Sequence, residues 1–251
     1  MKLTIITIVK NDKKNLLISL KSVLSQTYKN FEYIIYDGMS SDGTKSAIKK
    51  YLNKNIKYIC KKDKNYYEGL NYAINKASGD YIGILNAGDQ YYNTNTLKKI
   101  LKIIFSSRCD LLFGNLIYLD RKNYGVRFWK FPIKKLNLFS ALKIASPTIF
   151  IKKNIAKIHR YNTSYSISSD TDFNLRLSQK KLNFFYLDKY IIFMRIGGIS
   201  TNYKLFLLKM IQDIKILKKY FKITFGFIYI YKILIKLKTL SLKKIFYTNV
   251  Y

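Results

Sequence analysis

Cysteine is almost missing from this chain: Cys60 and Cys109 are the only two in 251 residues. Two thiols give no disulfide framework, and neither sits in a metal-ligand spacing. A reducing compartment such as the cytoplasm fits them. Proline occurs only at Pro132 and Pro147, so no rigid linker divides the chain, and no internal repeat is present. The single histidine, His159, reads as a surface or structural residue rather than a ligand. No stretch reaches 18 uninterrupted apolar residues, so no transmembrane helix is predicted. The apolar run in Met1–Lys10 is too short for a signal-peptide core and has no small-residue cleavage site, so it reads as a first strand. Acids are scarce as well: 14 carboxylates face 46 cationic side chains, a net charge of +32.

That charge raises the question of a nucleic-acid or anionic-membrane partner, reached by long-range attraction. Arginine, the better reader of bases and phosphates, is confined to Arg108, Arg121, Arg127, Arg160, Arg176 and Arg195. No nucleic-acid module signature is present, and no nucleic-acid partner is expected. The joint abundance of Lys, Ile, Asn, Tyr and Phe is what AT-rich coding produces, so part of the lysine is compositional.

In so basic a chain, an acid that twice closes an apolar strand stands out. Phe31–Tyr36 runs into Asp37-Gly38-Met39-Ser40-Ser41-Asp42-Gly43-Thr44, and Tyr81–Leu85 runs into Asn86-Ala87-Gly88-Asp89. Ligands of open α/β sheets bind beyond the carboxyl ends of the strands. Two aspartates at two such ends suggest a sugar-phosphate site, with a metal as one means of holding it. Asp37-Gly38 turns the chain sharply, because glycine tolerates positive φ, and the oxygens of Ser40, Asp42 and Thr44 surround the next helix start. An ordinary Asx-turn explains this loop equally well. Hard cations such as Mg²⁺ or Mn²⁺ accept one carboxylate plus substrate phosphates, which suits Asp89. A third cluster, Ser168-Ser169-Asp170-Thr171-Asp172, opens a predicted helix whose dipole favours an ionised carboxylate, fit for general-base work. A plain N-cap is the alternative there.

Strand-like and helix-like runs alternate through the first half, the pattern of an α/β fold with a parallel sheet. Strands are expected at residues 2–9, 31–36, 56–60 and 81–85, with helices at 12–26, 44–52, 68–76 and 94–105. Asn11 and Asp12 are candidate caps for the first helix. In the second half, strands are expected at 111–118, 124–131, 148–151 and 184–187, with a helix at 171–181. Residues 1–202 read as one catalytic domain and 203–251 as a basic amphipathic helical tail, with helices at 205–220 and 228–237.

Taken in order, the Thr-Ile-Ile-Thr-Ile-Val-Lys-Asn opening, the segment Gln26–Glu32, the Asp-Gly-x-Ser-x-Asp-Gly-Thr loop and the block from Asn71 to Asp89 resemble a family 2 glycosyltransferase. Asp170–Leu177 and Arg195-Ile196-Gly197-Gly198-Ile199-Ser200 extend the likeness to about residue 200. The resemblance implies a GT-A (Rossmann-like) fold, a mostly parallel central sheet flanked by helices. It implies inverting transfer of one sugar from a nucleotide-diphosphate sugar, a UDP-sugar by type, to a hydroxyl of a saccharide or a polyprenyl-diphosphate-linked saccharide in cell-surface polysaccharide synthesis. Thr7, Lys10 and Asp37 would surround the nucleoside, with Asp63 and Asn71 facing the same pocket. Asp89 matches the last acid of the family's Asp-x-Asp motif for Mn²⁺ or Mg²⁺, and Asp170 matches the catalytic base, with Asp172 its rival.

There are departures from the family pattern. Gly88 stands where an acid is frequent, Ser169 replaces a common Glu, and Thr148 follows Pro147 where relatives often carry His. The multiple membrane spans and Gln-x-x-Arg-Trp motif of the processive synthases are absent, so a non-processive enzyme is implied, with Trp129 in core or acceptor-side packing. Two other readings remain open: a GT-A domain that binds nucleotide sugar without turnover, and a basic scaffold acting by charge. The expected location is cytoplasmic, and the tail has two readings, a helix on the inner face of the membrane or one packed on the catalytic domain.

Overall fold

The structure, a computed structural model, describes residues 1–197 and 205–247, and of residues 241–244 only the backbone. Strands β1 (Leu3–Val9) and β2 (Phe31–Asp37) are buried along their whole length. Their apolar residues alternate between two cores: Leu3, Ile5, Tyr33 and Ile35 face one side of the sheet, Ile6, Ile8, Ile34 and Tyr36 the other. A strand apolar on both faces belongs in the middle of a parallel sheet, and β1 lies there, between β2 and β4 (Tyr81–Ile84). Strand β3 (Ile56–Cys60) completes the parallel half beyond β2. The connections are α1 (Lys13–Leu24), α2 (Thr44–Ile48) and α3 (Tyr66–Lys76). Register pairs Val9 with Asp37 and Asp37 with Cys60, so the carboxyl ends of β1, β2 and β3 finish level at one edge.

The remaining elements are β5 (Gln90–Tyr91), α4 (Thr96–Ser107), β6 (Leu111–Leu119), β7 (Tyr124–Trp129), α5 (Leu138–Ala141), β8 (Phe150–Lys152), α6 (Lys153–Ile158), α7 (Ser169–Ser178) and β9 (Phe184–Arg195). The sheet order is β10-β7-β6-β8-β4-β1-β2-β3, where β10 is Leu240–Phe246, and β9 runs parallel to β6 with β5 on it. This mixed, helix-flanked sheet is the expected GT-A architecture. Expected helices and strands recur within a few residues, with three informative differences. First, β9 is three times longer than expected, because the polar Asp188-Lys189 pair does not end it. Asp188 is exposed, accepts from Asn115 at 3.0 Å and pairs with Lys130 at 3.0 Å. Second, neither Asn11 nor Asp12 caps α1; the Lys13 backbone N–H donates instead to Asp42 at 2.8 Å. Third, Trp129 belongs to the core, its Nε1–H donating to the Lys143 carbonyl.

Beyond the expected boundary at residue 202 the chain packs back on the domain. Helices α8 (Phe206–Phe221) and α9 (Phe225–Lys238) form a hairpin whose Ile216, Leu217, Phe221 and Ile228 pack with Leu142 of the α5 C-cap and Leu175 of α7. Strand β10 then joins the sheet antiparallel to β7. The Gln212 side chain accepts from the backbone N–H groups of Ile167 and Ser168, satisfying donors just ahead of α7. Of the two readings of the tail, packing on the domain is therefore observed. The part expected from Tyr203 to Lys204 lies outside the described residues.

Candidate active site

The cleft opens where the parallel strands end. Asp37 closes β2 with no exposed surface. One of its carboxylate oxygens accepts from the Ser40 backbone N–H at 2.7 Å and the Ser40 hydroxyl at 2.6 Å, and the other accepts from the Tyr58 hydroxyl. Burial, then this bond, raises the Tyr58 phenol. Asp37 thus holds its own turn through three hydrogen bonds. Thr7 is also fully buried. Its hydroxyl links the Leu85 carbonyl to the Tyr33 hydroxyl, tying β1 to the end of β4 beneath the cleft. Asn71 is turned away: its Nδ2–H donates to the Tyr161 carbonyl at 2.8 Å and its Oδ1 accepts from the Tyr161 N–H at 2.9 Å. Of the five residues expected around the nucleoside, these three hydrogen-bond within the protein.

Lys10 and Asp63 both lie against Gly38. A Cβ on Gly38 would lie 2.9 Å from Asp63 Oδ2 and 3.3 Å from Lys10 Cδ, so the glycine leaves room for both side chains at the strand edge. Asp63 is half-buried, and its carboxyl is raised by burial, against the pull of the Lys10 ammonium. Lys10 itself is exposed.

Asp89 ends the second acidic stop and is 2% exposed. Its oxygens receive two long contacts, from Asn86 Nδ2 at 3.2 Å and from the Arg195 backbone N–H at 3.3 Å. Burial pushes its carboxyl up to about 8, outweighing those hydrogen bonds and Arg195. Asn86 is fixed in turn by the Tyr66 hydroxyl, which donates to its Oδ1 at 2.6 Å. The loop's shape explains Gly88: its φ is +93°, and its N–H donates to Ser19 and Asn15. An acid at 88 would carry the left-handed penalty.

Asp170 stands at the start of α7, half-buried, with its Oδ1 accepting from the Thr171 N–H at 2.8 Å and lying 3.5 Å from the Tyr67 hydroxyl. That hydroxyl donates to the Ile167 carbonyl at 2.8 Å, and the Tyr67 ring stacks on Tyr161, which stacks on Phe173. Asp172 points elsewhere. It is 1% exposed, paired with Arg176 at 2.8 Å and accepting from the Tyr220 hydroxyl at 2.9 Å, beneath α8. Of the two carboxylates only Asp170 is free toward the cleft. Burial raises the phenols of Tyr66 and Tyr118, and Asp89 and Asp170 both add to each rise, so both acids lie near these two rings.

Residues the sequence reading missed come from α9. Lys232 is 8% exposed, pairs with Asp213 at 2.9 Å and donates to the Thr171 hydroxyl at 3.1 Å, beside Asp170. Lys236, one turn on, has no ion-pair partner among the described residues. Burial, then the ammoniums of Lys232 and Lys209, hold it down to about 8. Its only sequence signal was helical spacing from Lys232. Thr148, where relatives carry His, is buried and bonded to the Gly114 and Ala145 carbonyls. His159 is half-buried, its carbonyl accepting from Arg176 and its backbone N–H donating to the Ile155 carbonyl. Gly198, Ile199 and Ser200 of the expected Arg195–Ser200 motif lie outside the described residues.

The sequence model of glycosyl transferase family 2 matches residues 4–152, more than half of the chain and all of the acidic strand ends. The chain belongs to this family. It is a glycosyltransferase of GT-A fold. Its sequence is 29% identical over 195 residues to an uncharacterized glycosyltransferase of Methanocaldococcus jannaschii, covering 74% of this chain and 67% of the relative. Its fold superposes at a TM-score of 0.70 on Staphylococcus aureus TarS (residues 1–349) in complex with UDP-GlcNAc, with 19% identity, 95% of this chain and 71% of that one covered. The Pyrobaculum calidifontis mannosyltransferase in complex with GDP-Man and Mn²⁺ gives a TM-score of 0.65 at 14% identity, over 86% and 63% of the two chains.

Among the described residues no three acids, histidines or cysteines group into a metal cage. What the family's divalent ion would meet is one buried carboxylate with only two long hydrogen bonds and no ion-pair partner. Such a donor suits a hard cation whose remaining ligands are substrate oxygens. Asp89 fits that role alone.

Proposed function

We propose that this glycosyltransferase moves one sugar, with inversion, from a UDP-sugar to a hydroxyl of a saccharide or polyprenyl-diphosphate-linked saccharide in cell-surface polysaccharide synthesis. The observation that carries this reading is the pair of unlike carboxylates near the same tyrosines: Asp89 buried with no ion pair among the described residues, Asp170 half-buried at a helix start. Asp170, ionised at the positive end of α7, takes the proton from the acceptor hydroxyl as it attacks the anomeric carbon. Asp89 would hold Mn²⁺ or Mg²⁺, which would supply charge neutralisation for the departing diphosphate. Lys10 and Asp63 line the donor end of the strand edge. The names of two structural neighbours support a nucleotide-sugar donor; one carries UDP-GlcNAc and the other GDP-Man with Mn²⁺. Residues up to about 202 hold donor and base, and the segment beyond them closes the acceptor side.

The test is a calorimetric titration of UDP, with and without Mn²⁺, on wild type and Asp170→Asn, beside a donor-hydrolysis and transfer assay. Asp170→Asn keeps UDP affinity and loses turnover. Absence of UDP binding by the wild type sinks the reading. Binding without any turnover by the wild type favours the alternative, a nucleotide-sugar-binding domain.

A further inference from the structure

Large exposed apolar side chains concentrate in the C-terminal hairpin. On α9 they are Phe227 (79% exposed), Ile230 (56%), Leu234 (50%) and Leu237 (56%), spaced three, four and three residues apart. Such spacing makes one stripe along a helix. Ile223, in the turn between α8 and α9, is 95% exposed and continues it. The opposite side of the same helix is used up: Ile228, Lys232 and Ile235 are buried against the domain. The stripe is therefore not a core face left over from poor packing; it is a second apolar face on a helix already docked. An exposed apolar run of this kind marks an interaction surface.

The charge around it selects the partner. Residues 205–247 contain ten lysines and a single acid, Asp213, and that acid is buried and paired with Lys232. Lys215, Lys218, Lys222 and Lys238 are exposed in the same hairpin. A second copy of this chain would bring the same lysines against each other, in molecules each carrying +32, and like charges so opposed repel. An anionic bilayer accepts both features, the apolar stripe at the acyl boundary and the lysines among the headgroups. We propose that the outer face of α9, with the α8–α9 turn, docks on an anionic lipid surface.

This deepens the acceptor reading above and rests on it, because it fixes how the cleft would meet a lipid-linked saccharide. The inner face of α9 touches α7 at Thr171, next to Asp170. A helix with its side chains is about 10–12 Å across, so Asp170 would sit roughly one helix width from the headgroups. A sugar carried on a membrane lipid is then within reach of the base, and one helix separates the acyl region from the cleft.

The test uses the whole chain, since removing residues 203–251 would take away β10 and the Gln212 contacts. Flotation with phosphatidylcholine vesicles, with and without phosphatidylglycerol, compares wild type with two variants: Phe227→Ser/Ile230→Ser/Leu234→Ser/Leu237→Ser, and Lys215→Glu/Lys218→Glu/Lys222→Glu. The wild type floats only with phosphatidylglycerol present, and less as salt is raised. The lysine reversals weaken partitioning by about a hundredfold or more, at about 1 kcal/mol per cation removed, and the serine variant at least as much. Both variants keep the wild-type melting temperature and UDP affinity, because their changed side chains face solvent. The proposal is overturned if the wild type ignores phosphatidylglycerol vesicles, if the serine variant floats as well as wild type, or if wild type is a dimer that the serine substitutions dissociate. UDP titration of the same samples separates the two readings: lost UDP binding with retained flotation removes the donor reading and leaves the surface.

Discussion

Asp89→Asn should make the apo protein more stable, and increasingly so as pH rises. Asp89 is 2% exposed and receives only two hydrogen bonds, both longer than 3.1 Å. Burial moves its carboxyl from the ordinary 3.8 to about 8. The sign follows from proton linkage. A carboxyl whose folded pKa lies above its unfolded one holds its proton more tightly when folded. Its contribution to stability is whole below about 4 and is lost as pH climbs through about 8. At 1.36 kcal/mol per pH unit the full loss is roughly 5–6 kcal/mol, a ceiling, because water entering the loop would relieve it. Asparagine has the same shape without the charge and forfeits at most one hydrogen bond, about 1 kcal/mol. The gap in melting temperature between Asp89→Asn and wild type, without added metal, should therefore widen from pH 5 to pH 9. With 2–4 °C per kcal/mol for a chain of this size, even a third of the ceiling is readable by calorimetry. Added Mn²⁺ should raise the wild-type melting temperature and leave the variant's unmoved. A gap constant between pH 5 and pH 9, or Mn²⁺ stabilising both proteins equally, would refute the reasoning.

Three further outcomes are expected. Asp172→Asn leaves Arg176 without its buried partner, costing about 2–4 kcal/mol and lowering the melting temperature, while activity per folded molecule persists; loss of turnover at unchanged stability would exchange the roles of Asp170 and Asp172. Gly88→Ala forces a side chain into φ +93° with Asn15 Cγ 3.3 Å away, a penalty of about 1–2 kcal/mol that denaturant titration would read; a neutral result would contradict the loop geometry. Lys236→Met should stabilise the protein at pH 7, where a charged, mostly buried ammonium held down to about 8 is otherwise required. That advantage should close as pH approaches 10 and the unfolded lysine also loses its proton, and melting curves across that range decide it.

The parallel half of the fold was legible because its signals are local. Strands apolar on both faces, glycine turns and three-to-four-residue helical stripes each specify an element without distant help. The acidic strand ends were legible for the same reason: register β1–β2–β3 follows from the pattern, so Asp37 had to lie at the edge. What was not legible was the direction of side chains. Nothing local in Asn71 says that its amide clamps the Tyr161 backbone ninety residues away, and nothing in Asp37 says that Tyr58 and Ser40 donate to it. The choice between Asp170 and Asp172 turned on Arg176 and Tyr220. Arg176 lies four residues on, a spacing visible in sequence, whereas Tyr220 arrives on α8. The length of β9 was hidden because Asp188 is stabilised across strands, by Asn115 and Lys130.

The sequence left the C-terminal segment with two readings for a physical reason that bears on function. Lysine-rich amphipathic helices look alike whether they float or pack, since charge on one face says nothing of the other. Here α9 is loaded on both: Lys232 and Lys236 inward, Phe227 to Leu237 outward. The inward pair places positive charge beside Asp170, and Asp213 answers only one of the two cations. Asp89 is a buried acid with no ion pair among the described residues, its burial outweighing Arg195. A fold selected for stability alone would replace Asp89 with asparagine and Lys236 with an apolar residue, because burying such groups costs more than a packed methylene. Retaining both suits the proposed site, where a metal-bound diphosphate and an anionic acceptor would bring the countercharges.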